Sequence, residues 1–222
     1  MISRNAPSPR LRIVSMLSEA EIYKKALKAI EEVYTWSEYG DNDLYRIKDI
    51  VHSLDANHWT SKQWLVDKVD QFIEKDMYDV GIFGGWYGLL AHLFKEKGVH
   101  NPMSLDIDEM TRIIGHRIFG GGIDWRDADM FEFDDRKFDV IVNTSCEHLD
   151  RDKLCEWIGS FKNGELFALQ SNDYFDEMSH INCSKSEDEF AAYIQAALPQ
   201  NEILFVGKLP NSMFDRFMVI GK

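Results

Sequence analysis

The sequence of 222 residues predicts an α/β protein whose mostly parallel sheet is covered by helices on both faces. After residue 78, short apolar runs alternate with amphipathic stretches, which is the pattern of strand–helix–strand units. The first run, Val80–Phe83, leads into a glycine-rich turn within Asp79–Gly88, DVGIFGGWYG. The last two runs are joined only by a short turn near Lys208–Pro210, whereas a parallel crossover needs roughly a dozen residues. We therefore expect the sheet to end in an antiparallel hairpin.

The segments before the sheet predict a flexible tail over residues 1–17 and a helical cap over residues 18–76, with the sheet domain over residues 77–222. The tail is rich in arginine and free of acid, as in transit peptides, but a flexible tail is the favoured interpretation. Capping boxes, which satisfy free backbone N–H groups, mark the starts of two of three cap helices. They are Ser18 with Glu21 and Thr60 with Gln63. The apolar residues at helical spacing are Ile22, Leu27, Ile30 and Tyr34, then Leu44, Ile47, Ile50 and Val51, then Trp64, Leu65, Val69, Phe72 and Ile73.

The remaining elements follow from apolar runs and helical periodicity. The predicted strands are Val80–Phe83, Met103–Ile107, Asp139–Asn143, Glu165–Gln170, Ile203–Gly207 and Phe217–Ile220, with a weaker one near Ile123–Trp125. The predicted helices are Leu89–Lys97, Glu109–Phe119, Asp152–Phe161 and Glu187–Leu198. The last of these helices has Ser186 and Glu189 as a capping box.

The composition limits the kinds of partner. The 38 acids outnumber the 25 bases, which gives a formal charge of −13 and makes a nucleic-acid partner unlikely without excluding one. No apolar run approaches the roughly 18 residues of a membrane span, so we expect no membrane partner. Three cysteines without a CxxC spacing indicate reduced thiols and a cytoplasmic protein. The sequence indicates no oligomeric state.

The glycine-rich turn predicts a site for a nucleotide-like ligand. Backbone N–H groups at a strand–turn–helix junction can approach such a ligand closely. About 20 residues further on, Asp106 ends a second apolar run, where a carboxylate can accept hydrogen bonds from ribose hydroxyls. The pattern fits a dinucleotide or S-adenosylmethionine. The three helices before the turn and the closing hairpin favour S-adenosylmethionine over a nicotinamide dehydrogenase.

Residues 60–222 resemble class I S-adenosylmethionine-dependent methyltransferases, which implies a seven-stranded Rossmann-like sheet. Several segments also resemble small methyltransferase-like proteins of bacteriophages. These segments are SKQWLVDK, FGGWYG, SLDIDE, VNTSCEHL, LQSNDY with HINC, and DRFMVIGK.

The resemblance implies a cofactor site along the first four strands. The residues assigned to S-adenosylmethionine are Gly84, Gly85, Trp86, Gly88, Asp106, Ile107, Asp127, Ala128 and Asn143. Asp106 would bind the ribose, with Asp108 as its alternative, and Asp127 or Asp129 the adenine amino group. Trp86 stands where the family has its middle glycine, and Ile82 replaces the acid that contacts the cofactor's amino group. Alternatively, the glycines serve packing, Asp106 caps a helix, and the acids near residue 127 are solvated surface.

Two polar segments follow the fourth and fifth strands and outline an acceptor cavity at the same sheet edge. They are Asn143–His148 and Gln170–Tyr174. The base candidates are His148, Asp173 and His180, and the substrate candidates are Glu147, Asn172 and Tyr174. Alternatively, His148 or Glu147 only caps a helix or orients a loop. We expect no metal, because Cys146, His148, His180 and Cys183 lack ligand-like spacing, and we expect both of these cysteines to be buried in apolar surroundings.

Three further expectations complete the functional interpretation. The resemblance implies that the segment His58–Trp64 forms a lid over the cofactor, with Lys62 or Gln63 reaching its carboxylate. Arg216 would pair with local acids on a solvated face. The expected reaction is methyl transfer to an oxygen or nitrogen of a small or medium-sized acceptor, without the Asn/Asp-Pro-Pro-aromatic motif of amino-methyltransferases. The alternatives are other S-adenosylmethionine chemistry, such as aminocarboxypropyl transfer, and a non-catalytic binding module.

Overall fold

The structure is a computed structural model that describes residues 17–35, 42–73, 78–133, 137–162 and 164–222. The predicted flexible tail therefore lies outside the described residues, except for residue 17. The end of the predicted cap, residues 74–76, also lies outside them.

Within the described residues, three helices precede the first strand, as predicted. They are α1 (Glu19–Thr35), α2 (Asn42–Ser53) and α3 (Ala56–Val69), and α3 continues into a 3₁₀ turn at Asp70–Phe72. The capping box before α1 is confirmed, since Ser18 N donates to Glu21 Oε2 at 2.8 Å and Glu21 N to Ser18 Oγ at 3.3 Å.

The expected buried faces of α1 and α2 were partly wrong. Leu27, Leu44 and Val51 are 62%, 74% and 57% exposed. The buried face of α1 consists instead of Ile22 and small or branched residues on the same stripe, Ala26, Ala29 and Val33. Alanine allows the helix backbone to approach its neighbour α5 closely, and sequence periodicity alone does not distinguish such a stripe from one lined by leucine.

The predicted start of α3 was also wrong. The N-cap is Asp55, whose side chain accepts a hydrogen bond from His58 N at 2.9 Å, so the helix begins at Ala56. The side chain of Gln63 donates to Asp67 Oδ1 at 3.0 Å instead of closing a capping box with Thr60. Aspartate is at least as favourable an N-cap as threonine, and the earlier cap includes one more helical turn.

The sheet has seven strands in the order β3-β2-β1-β4-β5-β7-β6, which confirms the predicted fold class. The strands are β1 (Val80–Phe83), β2 (Met103–Asp106), β3 (Asp124–Asp127), β4 (Val140–Asn143), β5 (Leu166–Asn172), β6 (Ile203–Pro210) and β7 (Asp215–Gly221). The first five are parallel, whereas β7 is antiparallel to both β5 and β6. The strand order reverses at β1, so the carboxyl ends of β1 and β4 flank the switch point where α/β sheets bind ligands.

The closing hairpin is longer than predicted. β6 continues to Pro210 and β7 begins at Asp215, so the turn lies at residues 211–214 and not at residues 208–210. β5 likewise extends two residues further than expected, because Asn172 pairs with Arg216 of β7. An antiparallel ladder can continue through polar residues that a hydrophobicity pattern reads as loop.

Four helices cover the two faces of the sheet. They are α4 (Leu89–Glu96), α5 (Glu109–Phe119), α6 (Arg151–Gly159) and α7 (Glu187–Ala197), and Ser186 caps α7 as predicted. In β5, Leu166 and Ala168 belong to the core shared with the cap, α4 and α5, whereas Phe167 and Leu169 belong to the core under α6 and α7. By the same alternation, the polar residues at positions 170 and 172 lie on the cap side. No helix in the described ranges is long and apolar enough to cross a membrane.

Candidate functional site

The glycine turn, residues 84–88, lies between β1 and α4 at the carboxyl edge of the sheet. Gly84 and Gly88 have φ of +73° and +84°, in the left-handed region that favours glycine. A Cβ on Gly88 would lie 2.2 Å from the Trp125 ring, so the turn also needs glycine there for packing. Trp86, the third residue of the turn, has φ of +50°. The packing and ligand interpretations of these glycines are therefore compatible.

Gly85 holds the turn against β2. Its N–H donates to Leu105 O at 2.8 Å, and a Cβ on Gly85 would lie 2.1 Å from Ser104 Oγ. Close approach of the turn to β2 therefore requires glycine at this position. This contact brings the turn next to the last residue of β2, Asp106.

Asp106 lies directly beside the turn. Its Oδ2 accepts from Trp86 N at 2.8 Å and its Oδ1 from Asp108 N at 3.1 Å. Burial raises the pKa of this carboxyl group above its ordinary value, against the effect of these backbone hydrogen bonds. The next residue, Ile107, is 73% exposed, which leaves an apolar surface beside the carboxylate.

Asp108 has a different environment from Asp106. It caps α5 by accepting from Met110 N at 2.9 Å, and its Oδ2 lies 2.6 Å from Arg46 Nη1 of α2. The charge of Asp108 is thus paired with a cation of the cap, whereas the described hydrogen bonds of Asp106 come from backbone N–H groups only. Asp106 therefore stays the predicted ribose ligand.

The cap contacts the two aromatic residues of the glycine turn, Trp86 and Tyr87. Asp49 of α2 accepts from Trp86 Nε1 at 3.1 Å and from Tyr87 Oη at 2.7 Å. The ring of His58 in α3 lies 5.2 Å from the Trp86 ring, centroid to centroid. Sequence analysis missed Asp49 and Arg46, because isolated charges on an amphipathic helix give no signal beyond a solvated face.

The loop after β3 carries the residues predicted near an adenine. Asp127 pairs in register with Asp106, and its side chain, 46% exposed, lies 3.4 Å from Arg112 Nη2. Ala128 N donates to Asp106 O at 3.0 Å, which fixes this loop beside the end of β2. Asp129 accepts from Phe131 N at 2.9 Å and so shapes the loop.

Asn143, the last residue of β4, is fully buried. Its Oδ1 accepts from Ser145 N at 2.8 Å, and its Nδ2 points to Met130 Sδ at 3.5 Å. A Cβ on Gly84 would lie 3.6 Å from this Nδ2, so the ends of β1 and β4 meet at the switch point. The described contacts of Asn143 thus shape the loop after β4.

Beyond β4, the fold assembles what we call the buried polar cluster, Glu147, Gln170, Asn172 and Arg216. Glu147 Oε1 lies 2.7 Å from Arg216 Nη1 and accepts from Asn172 Nδ2 at 2.6 Å. Arg216 is 7% exposed, so the prediction of a solvated face with local acids was wrong: its partner lies 69 positions away in the chain. Three buried atoms, Glu147 Oε2, Gln170 Oε1 and Arg216 Nε, have no hydrogen-bond partner among the described residues. Buried polar atoms in this state are typical of a ligand or water site.

Lys62 of α3 lies between this cluster and the glycine turn. It is 7% exposed, and its Nζ is 5.9 Å from the Trp86 ring centroid. Burial, together with the charge of Arg216, lowers the pKa of Lys62 to about 8. Within the described part of the chain Lys62 forms no salt bridge, so its charge has no direct counter-ion.

His148 and His180 come together although they are far apart in sequence. Their ring centroids are 4.5 Å apart. His148 Nδ1 lies 3.2 Å from Ser179 O and His180 Nδ1 lies 2.9 Å from Tyr174 O. A carbonyl oxygen only accepts, so each Nδ1 carries the proton and each neutral ring keeps its lone pair on Nε2. Burial lowers the pKa of His180, which favours this neutral form.

Asp173 and Tyr174 lie at the end of the β5–β7 ladder. Asp173 Oδ1 accepts from Asp215 N at 2.7 Å, and Tyr174 stacks on Phe214 with ring centroids 5.4 Å apart. Of the three base candidates, Asp173 is thus engaged in closing the ladder.

The two cysteines near this region differ. Cys146 is fully buried in the apolar core under α6 and α7, as expected. Cys183 is only half-buried and lies 3.4 Å from Asn172 Oδ1 and 3.7 Å from His180 Nδ1, so the expectation of apolar burial was wrong for it. The extended β5 brings a polar side chain to that position.

Comparison with known proteins identifies the fold. No protein-family model and no curated protein sequence matches the chain. Among solved structures, an S-adenosylmethionine-dependent methyltransferase from Clostridium acetobutylicum superposes with a TM-score of 0.59 at 15% identity, covering 82% of this chain and 98% of the other. The glycopeptide N-methyltransferase MtfA gives 0.55 at 12% identity, with 72% and 90% covered. Human N-acetylserotonin methyltransferase, in complex with SAM, gives 0.56 at 11% identity, with 93% and 71% covered. The chain therefore has the fold of class I S-adenosylmethionine-dependent methyltransferases.

Proposed function

We propose that the protein transfers a methyl group from S-adenosylmethionine to an oxygen or nitrogen of a small or medium-sized polar acceptor. The observation that carries this proposal is the position of Asp106. It ends β2 beside the glycine turn, and its carboxylate lies within 2.8 Å of Trp86 N. A carboxylate offers about four acceptor directions, so lone pairs remain for two ribose hydroxyls.

The charges around the glycine turn fit the two ends of the cofactor's methionine part. For the carboxylate of this part, Lys62 supplies a buried cation that lies 5.9 Å from the Trp86 ring and forms no salt bridge within the described residues. Ile82, at the position of the family's acid, is fully buried in the core and cannot contact the amino group. Asp49 replaces that acid, because its carboxylate accepts hydrogen bonds from Trp86 Nε1 and Tyr87 Oη in the same turn.

The sulfonium of the cofactor makes its methyl group electrophilic, so the protein has to orient the acceptor, exclude water and remove a proton. We assign His180 Nε2 as the atom that takes the proton from the acceptor, because Nδ1 of this ring donates to Tyr174 O and leaves the lone pair on Nε2. His148, whose ring lies against that of His180, is the second candidate. The lowered pKa of His180 keeps it able to accept a proton at neutral pH.

The buried polar cluster supports a polar acceptor. Glu147 Oε2 and Gln170 Oε1 can accept hydrogen bonds, and Arg216 Nε can donate one. Arg216 also lines a cleft between the start of α3 and the β6–β7 hairpin, which provides an entry from solvent. The negative charge disfavours nucleic acid as the acceptor, and the cysteine usage supports a cytoplasmic location.

Calorimetric titration tests the cofactor assignment. Wild type is expected to bind S-adenosylmethionine and S-adenosylhomocysteine but not NAD. Asp106→Asn is expected to weaken binding about 10- to 100-fold, since a hydrogen bond to a charged group is worth about 1.5–3 kcal/mol. Asp124→Asn is the matched control, because Asp124 lies at the opposite end of β3 and pairs with Arg126. Absent binding of both ligands to wild type, or equal binding by Asp106→Asn, refutes the proposal.

A second experiment tests the transfer itself. The protein is incubated with a metabolite extract and S-adenosylmethionine labelled either in the methyl or in the carboxyl group. Label from the methyl group alone supports the proposal, whereas label from the carboxyl group indicates aminocarboxypropyl transfer. His180→Gln is expected to abolish transfer while leaving cofactor affinity unchanged; unchanged transfer would remove His180 as the base. A protein that binds the cofactor and labels nothing is a binding module.

A further inference from the structure

Two histidines and an aspartate converge where α2 meets α3, outside the residues assigned to the cofactor. His52 Nε2 lies 3.3 Å from Asp55 Oδ2, and His58 Nδ1 lies 3.0 Å from Asp55 Oδ1. Each residue offers one ligand atom, and these three atoms lie within 4.8 Å of one another. We call this group the junction triad.

We propose that the junction triad binds a divalent transition-metal ion of the zinc type. Zinc is bound by histidine nitrogen and carboxylate oxygen at about 2.0–2.2 Å, usually in tetrahedral geometry, which separates neighbouring ligand atoms by about 3.3 Å. The two histidine nitrogens lie 3.3 Å from Asp55 Oδ2 and 3.0 Å from Asp55 Oδ1, and one ligand atom from each of the three residues falls within 4.8 Å of the others, so small side-chain movements would bring the set to this spacing. The set of two nitrogens and one oxygen suits zinc, cobalt or nickel, and water would complete the coordination.

The local backbone explains why the three ligands meet. His52 lies in the last turn of α2, and Asp55 is the N-cap of α3. His58 lies in the first turn of α3, one turn from the cap, and its backbone N–H donates to Asp55 Oδ1. The helix junction thus positions the carboxylate between the two rings before any ion binds.

The charges near each carboxylate distinguish the junction triad from the other candidate group, Glu147 with His148 and His180. Glu147 is held by Arg216 at 2.7 Å, and a fixed guanidinium at that distance opposes a second cation. The ion pairs of Asp55 within the described residues are with His52 and His58 only, and the nearby cation Lys62, one turn after His58 in α3, forms no salt bridge with it. Of the two groups, the junction triad is therefore the one less opposed by a fixed positive charge.

A metal at the junction triad would act on the glycine turn through Trp86. The centroid of its ring lies 6.1 Å from that of His52 and 5.2 Å from that of His58. An ion that holds the imidazoles of His52 and His58 in place would also restrict the position of the Trp86 ring, which contacts both of them. Metal binding by the junction triad is independent of the proposed function, because it is measured without cofactor or acceptor.

The full-length protein, freed of metal with a chelator, is titrated with Co²⁺ and then with Zn²⁺. The expected result is one equivalent of Co²⁺ with the visible absorption of a four- or five-coordinate nitrogen–oxygen site, displaced by Zn²⁺. Asp55→Asn keeps an N-cap oxygen and the helix start, yet is expected to weaken binding at least about 10-fold, as is His52→Gln. Circular dichroism is the check that both variants are folded.

His148→Gln is the matched control, because it alters the other candidate group and leaves the junction triad intact. Unchanged Co²⁺ binding by this variant supports the assignment. Loss of binding in His148→Gln but not in Asp55→Asn would place the metal at Glu147 and overturn it. Absence of stoichiometric Co²⁺ absorption in wild type would also overturn it and leave the junction triad as a hydrogen-bonded His–Asp–His group.

Discussion

Acidification from about pH 7.5 to about pH 5 is expected to destabilise the protein by about 2 kcal/mol through one buried histidine, His92. This residue of α4 is 4% exposed and stacks on Phe119 with ring centroids 4.9 Å apart. Its Nε2 lies 3.2 Å from Glu96 Oε1. Burial, aided by the nearby charges of Lys95 and Lys25, lowers the pKa of His92 from 6.5 to about 4.

The direction and size of the effect follow from proton linkage. The unfolded chain binds the proton near pH 6.5, before the folded protein does, so stability is complete above that pH and falls until the pH reaches about 4. The whole shift corresponds to about 3.4 kcal/mol, of which about 2 kcal/mol is lost by about pH 5. Burial raises the pKa of Glu96, so protonation of Glu96 on acidification stabilises the folded protein and opposes this loss. The same contribution is present in every variant that keeps Glu96.

Urea unfolding at several pH values, in wild type and in His92→Gln, isolates the contribution of His92. The free energy of unfolding of wild type is expected to fall by about 2 kcal/mol more than that of His92→Gln over this range. His116→Gln, at an exposed position of α5, is the control and should parallel wild type. Parallel curves for wild type and His92→Gln would refute the reasoning, since they would mean that the imidazole is not penalised by burial.

Two further predictions concern backbone conformation and buried charge, both read from urea unfolding. Gly88→Ala should destabilise by about 2 kcal/mol or more, because it combines left-handed strain of about 1–2 kcal/mol with a clash against Trp125. Gly98 also has a positive φ, but nothing lies within 4 Å of a Cβ added there, so Gly98→Ala should lose only the free energy of left-handed strain. Equal losses of unfolding free energy in the two variants would show that the Trp125 clash does not contribute. Glu147→Gln should cost about 3–5 kcal/mol because it leaves the guanidinium of Arg216 unpaired, and a loss below about 1 kcal/mol would show that this pair is solvated.

The elements that sequence analysis predicted well are those set by local patterns. The bounds of β1 and α5 match to the residue, because glycine and aspartate punctuate both segments. The closing hairpin followed from a connection too short for a crossover. The predicted start of α3 was wrong because Asp55 and Thr60 are both suitable N-cap residues. Only the contact of Asp55 with His58 N identifies Asp55 as the cap.

The candidate site was predictable only where one strand end carries its own signal. Asp106 and the glycine turn are of this kind, although their role in cofactor binding stays a prediction. The pair Glu147–Arg216 joins residues 69 positions apart, and Arg46–Asp108 joins residues 62 apart. No local pattern specifies either contact, since each depends on the tertiary packing of α2 or β7 on the sheet edge.

Trp86 explains why the cap and the glycine turn have to be considered together. A left-handed conformation costs a residue with a side chain about 1–2 kcal/mol, so an isolated turn would favour glycine at this position. The indole offsets that cost by its hydrogen bond to Asp49 and its contact with the His58 ring, both supplied by the cap. The left-handed conformation of Trp86 is therefore stabilised by contacts from α2 and α3. Consequently, we expect the state of the cap, including the proposed ion at the junction triad, to affect the binding of a ligand at the turn.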